Sequence, residues 1–243
     1  MSGTLYGIGL GPGDPELVTL KAMRLMRAAA VVAYPVPDGG TSLARQIAAP
    51  YLSETQMELE MPVPMRTERG PAQDAYDAAA RAIALHLDGG QDVALLCEGD
   101  PFFYGSFMYL FERLSPRYRT EIVPGVSSIM AAGAALRRPL AARNDRFTVI
   151  PAPLEDAVIE ATLKCCDAAV ILKIGRHFSR VRALLERLNL LGAAGYVERV
   201  TMAGEIVKPL RDVPAETRAP YFSMIVLYVG QEGWALRTNE VLQ

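Results

Sequence analysis

The feature that most constrains this chain occurs three times between residues 4 and 128: a short apolar run ends in a tight glycine- or proline-rich turn and is followed by a helical pattern. Residues 4–10 run into Gly9-Leu10-Gly11-Pro12-Gly13-Asp14-Pro15, after which Leu17, Leu20, Leu25 and Met26 recur at roughly helical spacing. Residues 92–97 run into Glu98-Gly99-Asp100-Pro101-Phe102-Phe103-Tyr104-Gly105-Ser106, and residues 119–123 into Pro124-Gly125-Val126-Ser127-Ser128. Short strands alternating with helices argue for α/β sheets of parallel character.

The remaining segments continue the alternation. The spacing predicts a helix over 16–30 and a strand over 31–34, stopped by Pro35 and the turn Pro37-Asp38-Gly39-Gly40. Ser42 is placed to cap a helix reaching 49. A short strand at 57–61, an alanine-rich helix at 72–87 ended by Gly89-Gly90, and a helix at 104–114 follow. After Pro124-Gly125 a new alternation begins: helix 127–136, strand 147–150, helix 154–166, strand 168–174, helix 179–190, then strands 195–200 and 224–229. The 243 residues accommodate two domains of ordinary size, and the break sets their expected limits at 1–123 and 124–243.

Composition narrows the function classes. A formal net charge of -2 gives the chain as a whole no electrostatic reason to bind nucleic acid or an anionic membrane. The sequence shows neither a basic start leading into an apolar run nor a membrane-length apolar stretch, so the expected compartment is the cytoplasm. Cys97, Cys165 and Cys166 make no metal-ligand pattern and are expected as reduced, buried thiols, with no metal bound.

The turns themselves invite a ligand. A dinucleotide fingerprint is absent, because the sixth position counted from Gly7 is Pro12 and that from Gly9 is Asp14; no Gly-Lys-Ser/Thr triplet makes a Walker loop either. Clustered glycines still let backbone approach a ligand closely. Asp14 either accepts bonds from a ligand or holds its loop, and Asp100 either meets a ligand or caps the next helix. Ser127 and Ser128 are N-cap residues whose hydroxyls could also face a ligand. Phe102, Phe103, Tyr104, Phe107, Tyr109 and Phe111 form either core or the wall of a flat apolar site. Of the two histidines, His86 reads as structural, whereas His177 follows Gly175-Arg176 and is a candidate contact.

The three turns, in this order and separation, resemble the tetrapyrrole (corrin/porphyrin) methylase family, and the resemblance covers essentially the whole chain. It implies two α/β domains with S-adenosylmethionine folded into the cleft between them, a homodimer, and an architecture unlike that of Rossmann-type methyltransferases. Carried over position by position, it implies cofactor contacts at Pro12, Glu98, Gly99, Asp100, Phe103, Ser127 and Ser128. A later family motif matches Leu172-Lys173-Ile174-Gly175-Arg176, which implies a contact at Ile174, with Thr201 and Met202 a further match. The opening from Leu5 to Ala22, Ala33-Tyr34-Pro35 and Lys173-Ile174-Gly175-Arg176 are similar to the branch that methylates C20 of precorrin-2, making precorrin-3A in cobalamin biosynthesis. The branch acting on cobalt-factor II in the anaerobic route is very close in sequence, and a non-catalytic tetrapyrrole-binding module is a third reading.

The implied chemistry is direct attack of an electron-rich meso carbon on a sulfonium methyl. It asks the protein mainly for alignment and exclusion of water. No Ser/His/Asp or Cys/His constellation stands out, and Asp14, Glu98 and Tyr104 are candidate bases by location only. The carboxylates of such a substrate call for cations, for which Arg45, Arg66, Arg69, Arg143, Arg176 and His177 are the candidates.

Overall fold

The computed structural model describes residues 1–63 and 69–230, with the side chains of 69–72 outside the description. It divides into two compact units, Met1–Ser127 and Ser128–Gln243.

The first unit holds β1 (Leu5–Gly9), α1 (Leu20–Ala28), β2 (Val31–Pro37), α2 (Leu43–Ala48), β3 (Met57–Val63), α3 (Arg69–Asp88), β4 (Val93–Cys97), α4 (Phe107–Leu114) and β5 (Thr120–Val123). Its five strands lie in the order β3-β2-β4-β1-β5, and every pairing is parallel. The period-two pleat sorts the side chains onto two buried faces. Val31, Ala33, Val93 and Leu95 join Ile83, Leu87 and Phe107 on one face. Val32, Tyr34, Ala94 and Leu96 join Met26, Ala44 and Ile47 on the other. Gly7 is required here, since an added Cβ would lie 2.4 Å from the Phe107 ring.

Two predicted helices start later than their sequence pattern suggests. The run from residue 16 is broken by two consecutive caps. Asp14 caps a one-turn 3-10 helix, Pro15–Leu17, and Thr19 then caps α1 by accepting from the Ala22 N–H at 3.1 Å. Tyr104 has φ +56°, outside the helical region, so α4 opens only at Phe107. Ser42 caps α2 as its sequence position suggests.

The second unit holds α5 (Ser128–Ala135), β6 (Phe147–Pro151), α6 (Asp156–Lys164), β7 (Ala168–Leu172), α7 (Phe178–Arg187), β8 (Ala194–Glu198), β9 (Ile206–Pro209) and β10 (Ser223–Tyr228). The order is β6-β7-β10-β8-β9. The expectation of parallel character holds only for β6 with β7; β10 runs antiparallel between β7 and β8, and β9 pairs antiparallel with β8. The reason is connectivity, because antiparallel neighbours need no helical crossover and only β9 and a one-turn 3-10 helix, Leu210–Asp212, stand between β8 and β10. Strand β9 was not anticipated; it is four residues long, ends in Pro209 and lies at the sheet edge, where a missing N–H is tolerated. Ile150, Ile171, Tyr196 and Ile225 pack with α6 and α7, while Val170, Val197, Met224 and Val226 pack with Ile129 and Ala132 of α5. Cys97 and Cys166 are buried as expected, but Cys165 is exposed at the end of α6.

Candidate functional site

The three turns that defined the sequence leave the carboxyl ends of β4, β1 and β5, which are adjacent and parallel, so all three emerge at one sheet edge. Ligands of open α/β sheets bind outside such ends. Here the loops are stitched to one another. Gly11 N–H donates to the Gly99 carbonyl at 3.2 Å, and Gly99 N–H donates to the Gly11 carbonyl at 2.7 Å. The Asp100 carboxylate completes the tie: Oδ1 accepts from the Phe102 N–H at 2.9 Å and Oδ2 from the Gly125 N–H at 3.1 Å. Asp100 does not cap α4, whose N-cap position is Ser106; its carboxylate instead closes its own turn and staples that turn to the third loop. Asp14 likewise holds its own loop, accepting from the Glu16 N–H at 2.8 Å.

The close approach is what demands glycine. An added Cβ on Gly9 would lie 2.4 Å from the Gly125 nitrogen, and one on Gly125 would lie 2.0 Å from the Gly99 carbonyl oxygen. Gly11 and Gly99 also have φ of +81° and +64°. The space on the Cβ side of Gly99 is different, with no heavy atom within 4 Å, so the knot of loops presents one open backbone position.

The other expected contacts of this half of the sequence lie in or beside the same three turns. Pro12 is buried in the first turn. Glu98 is only partly exposed, and burial pushes its carboxyl above the usual carboxylate range, opposed by backbone N–H bonds including that of Ala44. The aromatic cluster divides in two. Phe107 is core, with Phe102 against it at 5.6 Å and against Phe111 at 5.1 Å, and Tyr109 stacks on Tyr76. Phe103 and Tyr104 remain 40% and 49% exposed, edge to face at 5.0 Å, and Phe102 also keeps an exposed face, so these consecutive rings are the part of the cluster best able to wall a ligand. Ser127 and Ser128 are half-buried, Ser128 opening α5.

In the second unit, Ile174 is fully buried in the core, so only its backbone is available to a ligand, and its carbonyl accepts from the His177 N–H at 2.6 Å. The Thr201 N–H donates to Glu205 at 2.6 Å, and Met202 N–H to the Arg199 carbonyl at 2.9 Å. Lys173, Arg199 and Thr201 all have positive φ, at +59°, +49° and +64°. Such non-glycine residues hold backbone strain, which gathers at functional sites. The sequence offered no signal for these conformations.

The proposed cations are scattered in their roles. Arg45 spends its fork on Glu58, at 2.7 and 2.8 Å, and Tyr34 OH donates to the same carboxylate at 2.5 Å. Arg143 is exposed in the loop before β6. Arg176 is exposed and its Nε donates to His177 Nε2 at 3.3 Å; burial, then Arg176 and Arg180, hold the His177 imidazole below its usual range and so neutral. Arg66 and the Arg69 side chain lie outside the described residues. His86 is satisfied by Gln91 at 2.8 Å. Among the described residues no group of three or more His, Cys, Asp or Glu could hold a metal ion, and no helix is long and apolar enough to cross a membrane.

The family model for tetrapyrrole (corrin/porphyrin) methylases matches residues 4–214, a span that contains all three stitched turns. The chain belongs to this family. It is 47% identical over 247 residues to the cobalamin biosynthesis protein CobIJ of Mycobacterium tuberculosis, which covers 98% of the chain and 48% of that protein; the chain therefore spans about half the length of this relative. It is 36% identical to a precorrin-2 C(20)-methyltransferase from a Sinorhizobium species, over 96% of both chains. Among solved structures it is similar to uroporphyrin-III C-methyltransferase from Thermus thermophilus complexed with S-adenosylhomocysteine, at 24% identity and TM-score 0.68, covering 97% of this chain and 99% of that one. This tetrapyrrole methylase has the two-sheet α/β fold of the family, not a Rossmann-type methyltransferase fold.

Proposed function

We propose that this tetrapyrrole methylase transfers a methyl group from S-adenosylmethionine to C20 of precorrin-2, giving precorrin-3A in cobalamin biosynthesis. The observation that carries the reading is end-to-end similarity to a protein named for that reaction, together with intact glycine turns tied into one rigid cluster. The chemistry of the cluster fits the cosubstrate: backbone is open at Gly99, a carboxylate stands at Glu98, and Phe103 offers an exposed ring. S-adenosylmethionine supplies an electrophilic methyl carbon, so the protein needs no strong nucleophile. Pro12, Glu98, Gly99, Asp100, Phe103, Ser127 and Ser128, with backbone near Ile174, Thr201 and Met202, bind and orient it, and rigid loops supply the alignment.

Asp100 and Asp14 position the loops, since their carboxylates already accept backbone N–H groups. Glu98, with its raised carboxyl pKa, is the best placed of the three candidate bases to take up a proton after transfer. The enzyme works in the cytoplasm as a homodimer, without a metal, and binds neither nucleic acid nor membrane.

The test is incubation of pure protein with S-adenosylmethionine and metal-free precorrin-2 made in situ under anoxic conditions, read by mass spectrometry and NMR. One methyl gained at C20 is the expected result. Transfer only to cobalt-factor II would move the protein to the anaerobic route, and transfer to neither would overturn the C20 assignment.

A further inference from the structure

Strands β6, β7 and β8 share one direction in the second sheet, since β6 is parallel to β7 and both β7 and β8 are antiparallel to β10. Their carboxyl ends therefore lie along one edge, together with the start of β10. That edge gathers an unusual set of side chains. Lys173 follows β7 and is exposed; continuing the β7–β10 register from Ile171↔Ile225 by two residues sets it beside Ser223. Arg199 follows β8, and its N–H donates to the Phe222 carbonyl at 2.7 Å, which fixes it against the start of β10. Its guanidinium meets buried Glu198 at 3.0 Å while the Arg199 side chain stays 45% exposed. Glu198 is in turn held by Tyr196 OH at 2.8 Å.

The segment leading into β10 adds Arg218, exposed beside Ala219, whose carbonyl lies 3.9 Å from where a Cβ on Gly175 would stand. That contact brings the loop carrying Arg218 against the one carrying Arg176, which is also exposed. Tyr221 and Phe222 then present 69% and 42% of their surfaces, edge to face at 5.0 Å. Large adjacent aromatics left open between cations at a strand edge are not explained by the core below them. Lys173 and Arg199 are held there in the left-handed region, at a cost other residues would avoid. Of the acidic groups here, Glu198 is buried against Tyr196 and Arg199, and the exposed Glu205 accepts from the Thr201 N–H.

We infer that this edge of the second sheet is the platform for a flat polycarboxylate, with Lys173, Arg199 and Arg218 meeting its carboxylates and Tyr221 and Phe222 packing on its ring. The inference rests on the proposed reaction for the identity of that ligand as the methyl acceptor, but the platform can be tested without turnover. Aromatic faces receive planar π-systems, and guanidinium forks fix carboxylates geometrically. Because the contacts are ionic and near the surface, binding weakens with salt.

The experiment compares the full chain with Lys173→Gln/Arg218→Gln and with Tyr221→Ser/Phe222→Ser. A third variant, Arg211→Gln, serves as control; it removes one exposed cation beyond β9, at the opposite edge of the sheet. Uroporphyrin III, an octacarboxylate macrocycle, is the binding probe, titrated by its own fluorescence at low and high salt. S-adenosylhomocysteine affinity is measured by calorimetry in parallel. The expected result is at least about tenfold weaker uroporphyrin binding in each double variant, with a flatter salt dependence for the charge variant. Arg211→Gln should bind uroporphyrin as wild type does, and S-adenosylhomocysteine affinity should be unchanged throughout. Equal uroporphyrin affinity in wild type and both double variants overturns the platform, even if precorrin-2 is methylated. Loss of uroporphyrin binding in the variants, with no methylation of precorrin-2 by wild type, upholds the platform and overturns only the proposed reaction.

Discussion

Replacing Gly125 by alanine tests whether the family's three turns work as one rigid body. The added Cβ would lie 2.0 Å from the Gly99 carbonyl oxygen, and 2.8 and 2.9 Å from the carbonyl carbon and Cα of Gly9. All three are backbone atoms, so no rotamer change relieves the overlap. Reaching an ordinary contact means opening the loops by about 1.4 Å, from 2.0 to 3.4 Å. The tie between Asp100 and the Gly125 N–H, and the paired Gly11–Gly99 bonds of 3.2 and 2.7 Å, cannot all survive that movement. Overpacking of this kind costs roughly 1–3 kcal/mol, and one lost hydrogen bond adds about 1 kcal/mol, so about 3 kcal/mol is expected. For a chain of this size that lowers the melting midpoint by roughly 6–12 °C. Calorimetric melting gives the midpoint, and isothermal titration with S-adenosylhomocysteine gives the ligand affinity, which should fall at least about tenfold because the open position at Gly99 moves with the loops. Gly192→Ala is the control, since nothing lies within 4 Å of its Cβ position and its backbone is not left-handed. It should melt as wild type does or slightly higher. A Gly125→Ala protein that melts with Gly192→Ala and keeps full ligand affinity would refute the stitched-loop account.

Asp100→Asn should cost about 1–2 kcal/mol in urea unfolding, because an amide offers one acceptor oxygen where the carboxylate serves both Phe102 and Gly125 N–H groups; unchanged stability would show the staple to be dispensable. Glu98 is pushed above the ordinary 4.5 by burial, so the folded state keeps a proton that the unfolded state has lost, and stability falls as pH rises through that interval. Glu98→Gln removes this loss, so its stability relative to wild type should climb from acid to neutral pH, and parallel pH profiles would contradict the assignment. Glu58 behaves oppositely: Arg45, then Tyr34, hold its carboxyl below 4.5, so its contribution is complete above that pH and is lost as pH falls through the depressed value. Arg45→Met should therefore cost no more than about 1 kcal/mol, since both partners are 35% exposed, and should leave the KM for precorrin-2 unchanged; a raised KM would restore Arg45 as a substrate anchor.

Much of the molecule was legible in its sequence, and for a physical reason. Apolar runs such as Val93–Cys97, and caps such as Ser42, are local signals whose periodicity and chemistry survive whatever packs around them. The spacing of Gly9, Gly99 and Gly125 was equally visible, because close backbone approach leaves no substitute for glycine. Tertiary structure alone decided which strands became neighbours. It set β1 between β4 and β5, which turns three distant motifs into one knot, and it laid β10 antiparallel between β7 and β8, which no local pattern encodes. Partner choice was likewise invisible in the sequence: Arg45 and Arg176 are both arginines at loop-proximal positions, yet one is locked to Glu58 and the other stays exposed. Lys173 and Arg199 show the same limit, since a left-handed backbone at a non-glycine residue is imposed by the surrounding fold and leaves no trace in composition or spacing.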